Sequence, residues 1–169
     1  MNDLRGKLGG TERYDVRPLS AVRYVVVHHS GVAGDCSAEA IAAWHVGHYG
    51  WPGIGYHFLI HEDGSIDYVG DLATVRYNVA GRNRDVVGIC IPGDFTRQAP
   101  NELQLGAARN LVKVLRPLLD PDETGRVRLV GHRDVALPGY GTNCPGESWR
   151  EWIGTIAEGM RWTERSSGL

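Results

Sequence analysis

Three strand-like runs constrain this chain most: Arg23 to His29, apolar after its first residue and with no polar break before the histidines, the buried run Val86 to Pro92, and the short Val127 to Gly131. The first of these predicts a strand covered on both faces and the second another buried strand, since a strand with one wet face would alternate. Two of them deliver a histidine at the carboxyl end, His28-His29 after Val25-Val26-Val27 and His132 after Gly131. A thiol, Cys144, arrives twelve residues after the second histidine. Two imidazoles and one thiolate suit zinc. Three protein ligands leave a fourth position for water, which is the composition of a hydrolytic site.

The stretches between these runs predict helices and a hairpin. Ser37 caps a helix running to about Tyr49, which Gly50 stops. Gly55 to His61 reads as a strand, Glu62-Asp63-Gly64-Ser65 as a hairpin turn and Ile66 to Val69 as the return. Asn101 to about Arg116 predicts an amphipathic helix with Leu103, Ala107, Leu111, Val114 and Leu115 on its apolar face, ended or kinked by Pro117. A last helix is expected from Ser148 to about Trp162. Alternating strands and helices imply an α/β fold, a single domain with a central mixed sheet flanked by helices and the zinc site in a surface groove. The expected divisions are a polar arm at 1–21, the body at 22–162 and a tail at 163–169; 169 residues suit one such domain.

Composition excludes several classes. A net charge of -2 offers no nucleic-acid-binding surface. No apolar run approaches the roughly 20 residues of a membrane span, so no membrane insertion is expected. The first residues lack a hydrophobic signal core, which predicts synthesis in the cytoplasm without a signal peptide. The spacing of Cys36, Cys90 and Cys144 forms no paired framework, as expected of a reducing compartment.

His28 and His29 are strand neighbours, so only one of them can face a shared metal. Tyr56 follows a Gly-rich turn; it is either a half-buried aromatic or a phenol that hydrogen-bonds attacking water or a developing oxyanion. Thr142, two residues before Cys144, offers a hydroxyl to the same oxyanion. Asp134 is read as structural, and Cys36 and Cys90 as buried small hydrophobes. The pairs His45/His48 and His57/His61 have metal-like spacing but no evident third ligand.

Further segments join these: Trp44-His45, the run Gly50-Trp51-Pro52-Gly53-Ile54-Gly55-Tyr56-His57-Phe58, Val87-Gly88-Ile89-Cys90-Ile91, Gly131-His132-Arg133-Asp134 and Thr142-Asn143-Cys144-Pro145-Gly146. In this order the chain resembles the zinc-dependent N-acetylmuramoyl-L-alanine amidases of the type-2 family, which includes peptidoglycan recognition proteins and bacteriophage amidase lysozymes. The resemblance spans residues 23 to about 150. It implies Zn2+ on His28, His132 and Cys144, with Tyr56 and Thr142 as catalytic residues. It also implies peptidoglycan contacts from Trp51, His57 and Asn78. Asn78 departs from the family pattern, which commonly has a histidine there. The implied reaction is hydrolysis of the amide between N-acetylmuramic acid and L-alanine, an endolysin-like activity on the cell wall after release, for instance through a holin. The animal members' helix-proximal disulfide is missing, which favours a phage or bacterial enzyme. Two other readings are a non-catalytic peptidoglycan-binding module and a cytoplasmic anhydromuropeptide amidase. The latter usually presents Asp in place of Cys144. A monomer is expected. Some phage amidases also contact a phage RNA polymerase, but no surface for that is evident here.

Overall fold

The computed structural model describes residues 1–158. Its strands are β1 (Asn2–Asp3), β2 (Tyr24–His29), β3 (Phe58–Ile60), β4 (Ile66–Tyr68), β5 (Val86–Ile91) and β6 (Arg128–Gly131). Its helices are α1 (Ala38–Tyr49), α2 (Glu102–Leu119), α3 (His132–Val135) and α4 (Trp149–Ala157). One mixed sheet runs in the order β1-β4-β3-β5-β2-β6. β2 lies parallel between β5 and β6, β5 is parallel to β3, and β3 and β4 form the antiparallel hairpin. The carboxyl ends of β2, β5 and β6 therefore point the same way, and the crevice there is where open α/β sheets place ligands.

Alternation along β2 and β5 sorts their side chains between two layers. Val25, Val27, Ile89 and Ile91 join the core under α2 and α4, with Leu111, Leu115, Leu119 and Trp152. His28 and its registered neighbour Cys90 point to the other face. There Cys90 packs with Ile41 and Ala42 of α1, and with Ile54 and Leu59. α1 starts where Ser37 Oγ accepts from the Ala40 N–H at 3.2 Å and ends at Gly50 in the left-handed conformation.

Several elements differ from expectation. The strand read from Gly55 to His61 shrinks to Phe58–Ile60, so Tyr56 and His57 stand in the loop that leads into it. α2 runs past Pro117 to Leu119. Pro117 and Lys113, whose carbonyl loses its partner, both lie on the exposed side, where water can serve that carbonyl. The buried stripe of α2 is Gln104, Ala108, Leu111, Val112, Leu115 and Leu119, while Leu103 and Val114 face solvent. Gln104 can be buried because its side chain is satisfied. Its Oε1 accepts from the Asn101 N–H and its Nε2 donates to the Pro92 carbonyl. Residues 1–21 are more than a covering arm. β1 adds a parallel edge strand to β4, Arg17 donates to the Leu72 and Val86 carbonyls, and Glu12 pairs with buried Arg76 at 2.7 Å. The expected stretch 159–162 of the last helix, and the tail, lie outside the described residues.

Candidate active site

His28 leaves β2 fully buried on the α1 face. Its Nε2–H donates to Asn78 Oδ1 at 3.2 Å. The Asn78 amide cannot turn over, since its Nδ2 already donates to the Gly55 and Arg76 carbonyls at 3.0 and 3.2 Å. That fixes the tautomer: the free lone pair of His28 is on Nδ1, which faces Cys144 Sγ at 3.7 Å. Asn78 fits only because residue 88 is glycine, as a Cβ there would stand 2.7 Å from the Asn78 amide carbon. Asn83 holds the approach, accepting from the Asn78 and Val79 N–H groups through one oxygen.

His132 opens α3 directly after β6, and its ring centroid lies 4.6 Å from that of His28. Asp134 braces the corner, accepting from the Gly131 N–H at 3.0 Å and from Arg150 at 2.7 Å. Cys144 comes from the following loop. Thr142 Oγ1 accepts the Cys144 N–H at 3.1 Å, the Cys144 carbonyl accepts from Arg133, and the His29 N–H points at the sulfur from 3.4 Å. The loop closes at Gly146, whose φ of +118° suits only glycine and where a Cβ would stand 1.9 Å from the Phe95 carbonyl oxygen.

One ligand atom each from His28, His132 and Cys144 lies within 4.8 Å of the others, the only such grouping among the described residues. Tetrahedral zinc bonds of about 2.0–2.3 Å place donor atoms roughly 3.3–3.8 Å apart, so the 3.7 Å between Cys144 and His28 suits that ion. Burial, helped by His132 and His29, holds His28 well below the ordinary imidazole range, and burial with His29 nearby lowers His132 to about 4, so both are neutral lone-pair donors. Burial pushes the Cys144 thiol up to about 12, and a cation is what would make it a thiolate at neutral pH.

Tyr56 is in ring contact with His28 at 5.2 Å, and its hydroxyl reaches the Cys90 thiol. An open cavity of about 500 Å³ adjoins the site, walled by Trp51, Tyr77, Asn78, His132 and Tyr140, so that His132 is the member of the trio that lines it. His57 has no part in it. It is fully buried, its Nδ1 accepts from the Gly88 N–H at 3.0 Å and its Nε2–H donates to the Thr74 carbonyl, so neither nitrogen is left for a substrate. The polar atoms of Asn78 are likewise committed, and it meets the cavity only as wall; it acts on the site through His28. The remaining histidine pairs also separate. His45 Nδ1 accepts from Gly55, His48 stacks on Trp44, and His61 sits between Asp35 and Asp67 at 3.0 and 2.9 Å. Spacing alone did not single out Asn83, the Cys90 thiol or the His29 N–H, because their roles arise from contacts between distant segments.

These histidines set the expected pH profile of stability. Burial lowers His45 to about 4, and burial with Arg17 and Arg76 nearby lowers His57 to about 3. Below pH 6.5 the unfolded chain binds protons that the fold refuses, so stability falls with pH, by about 1.4 kcal/mol per pH unit for each group. His61 has the opposite sign. Burial pulls it down, but hydrogen bonds to Asp35 and Asp67 more than offset this and raise it. Its contribution is fully present below 6.5 and disappears as pH climbs through the raised value. Thermal melts from about pH 5 to about pH 8 should therefore show both limbs. His61→Asn should flatten the alkaline limb alone, and a variant with an unchanged alkaline limb would remove His61 from the account.

Two imidazoles and a thiol, gathered at the carboxyl ends of parallel strands and beside an open cleft, suit the hydrolysis of an amide. The comparisons make this specific: the family profile of N-acetylmuramoyl-L-alanine amidases matches residues 18–147, and the chain belongs to that family. It is 32% identical over 133 residues to the endolysin of Klebsiella phage KP32, covering 76% of this chain and 83% of that one. Among solved structures it resembles Drosophila PGRP-LB (TM-score 0.76, 26% identity, 98% of each chain). It also resembles the peptidoglycan recognition proteins LCa and LCx with tracheal cytotoxin bound (TM-score 0.77, 29% identity, 91% of this chain and 95% of that one).

Proposed function

We propose that this amidase hydrolyses the N-acetylmuramoyl–L-alanine bond of peptidoglycan with zinc held by His28 Nδ1, His132 and Cys144. The observation that carries the reading is the convergence of these three donors beside the cleft, which His132 lines. When bound, the metal supplies Lewis acidity, polarising a carbonyl and making water acidic near neutral pH. The protein's own groups do the rest. Asn78 keeps the His28 proton on Nε2, and the His29 N–H supports the sulfur. Thr142 Oγ1 already accepts from Cys144, so its own O–H is free to donate to the scissile oxygen. The Tyr56 phenol, held protonated by burial, donates to the developing oxyanion and is no base. Trp51 and Tyr77 wall the path of the substrate. In the cell the target is the wall, reached after release as for an endolysin. No helix of the described residues is long and apolar enough to cross a membrane.

Digestion of purified sacculi tests this. New L-alanine amino termini should appear without new reducing ends, chelation should stop their release and zinc should restore it. Reducing ends alone would replace the amidase by a glycosidase, which needs two carboxylic acids flanking a cleft. Binding with neither product would make the chain a recognition module.

Asn78→Ala is expected to lower zinc affinity about 10–100-fold, as for other lost outer partners of a ligand histidine. Competition with a chromophoric chelator measures it. An unchanged affinity would show that another group holds the His28 ring.

A further inference from the structure

The outer face of α1 is a surface of this fold that its core does not explain. Helices of a globular protein turn a polar side to water. After Glu39, the solvent side of α1 is Ala40, Ala43, Trp44, Gly47 and His48, with no Lys or Arg anywhere in the helix. Trp44 is 57% exposed and Tyr49 is 53% exposed. These aromatics are ordered against one another. Trp44 lies flat on His48 with centroids 4.3 Å apart and planes 12° apart, His48 meets Tyr49 edge-on at 4.8 Å, and Tyr49 stacks on Trp51 at 4.8 Å. Trp51 is a wall of the cleft. From there the rings continue inward through His45 and Tyr56 to His28. An unbroken line of ring contacts thus runs from the candidate metal ligand out onto the solvent face of α1.

We propose that Trp44, His48 and Tyr49 form a platform for the glycan strand of peptidoglycan, outside the cleft that takes the scissile amide. The proposal rests on the amidase reading in one respect: the cleaved bond joins an amino sugar to its stem, so the strand must lie across surface continuous with the cleft. The chemistry of the face selects sugar over peptide. Stem peptides carry several carboxylates, for which α1 offers no Lys or Arg, and its one carboxylate, Glu39, stands at the far end of the helix from Tyr49. Pyranose rings present a flat C–H face that sits on flat aromatics while their hydroxyls stay in water, and Trp and Tyr suit such half-wet contacts. The aromatics are exposed together, side by side with small residues that leave room for a ring, and a patch of this kind on a monomer is commonly functional.

The test uses the full chain and two probes: peptide-free glycan strands, and the free stem peptide beginning with L-alanine. Trp44→Ala removes the outermost ring at an exposed position where alanine favours the helix, so the fold should hold. Affinity for the glycan strands, read by tryptophan fluorescence and co-sedimentation, should fall about tenfold, the factor that 1.4 kcal/mol represents. His48→Ala should follow it, Trp44→Tyr should keep most of the affinity, and stem-peptide binding should not move. Equal glycan binding by wild type and Trp44→Ala overturns the platform. So does an equal loss on the stem peptide, and so does a change in oligomeric state on substitution, which would place a second copy on this face. Neither probe requires turnover. If sacculi are not hydrolysed yet glycan binding depends on Trp44, the amidase reading fails and the platform stands.

Discussion

Cys144→Ser should leave the protein folded, free of zinc and without activity on sacculi. Serine is nearly the same shape, and the loop that carries residue 144 is held by its own backbone contacts to Thr142 and Arg133. The change exchanges a soft donor that a metal can ionise for a hydroxyl that stays neutral. Three ligands become two imidazoles, fewer than hydrolytic zinc sites keep. The loss of metal affinity should therefore exceed the roughly 10–100-fold typical of a missing outer partner. Elemental analysis and labelling of new amino termini on the same sample measure both losses. Cys36→Ser and Cys90→Ser are the controls and should retain full zinc. Cys36 is half-buried and Cys90 hydrogen-bonds Tyr56, and neither belongs to the trio. Full zinc occupancy in the Cys144 variant would remove this residue from the ligand set.

Tyr56→Phe should keep the fold and the zinc and lose about 10²-fold in kcat, the usual consequence of removing one donor from a developing oxyanion. The ring contacts with His28 and His45, at 5.2 and 5.5 Å, survive the substitution, so only the hydroxyl is tested. Because that hydroxyl acts on charge present mainly in the transition state, KM should move little. Near-normal turnover would make Tyr56 a packing residue. A matched rise in KM would make it a ground-state contact instead.

Much of the architecture is legible in the sequence where local chemistry and the buried pattern agree. Val25-Val26-Val27 and Val86 to Ile91 read as interior strands, and Ser37 and Gly50 bracket α1. The three donor residues are visible because histidine and cysteine at strand ends and Gly-rich loops are unusual company. What could not be read depends on contacts made across the fold. Gln104 is polar by composition and buried because distant Pro92 offers it a carbonyl. His57 belongs to a segment that suggests substrate binding, yet Gly88 and Thr74 take both its nitrogens. Asn78 looks like a substrate contact until the missing side chain of Gly88 is seen to let it under His28. β1, two residues long, carries no pattern of its own and exists because β4 offers an edge.

The pairing of β2 with β6 also has a kinetic consequence. His28 and Cys144 are 116 residues apart, and only the docking of β6 beside β2 brings His132 and the thiol loop to the first histidine. Contacts of such long range are slow to form because their closure entropy is spent before they gain anything. A nascent chain that has made α1 and the β3–β4 hairpin holds one donor and no trap for a metal. Stopped-flow refolding in the presence of zinc should therefore show metal capture in the slowest phase, coincident with global folding. A wall-degrading centre arranged in this way stays latent throughout the chain's own synthesis, with topology acting as the timer.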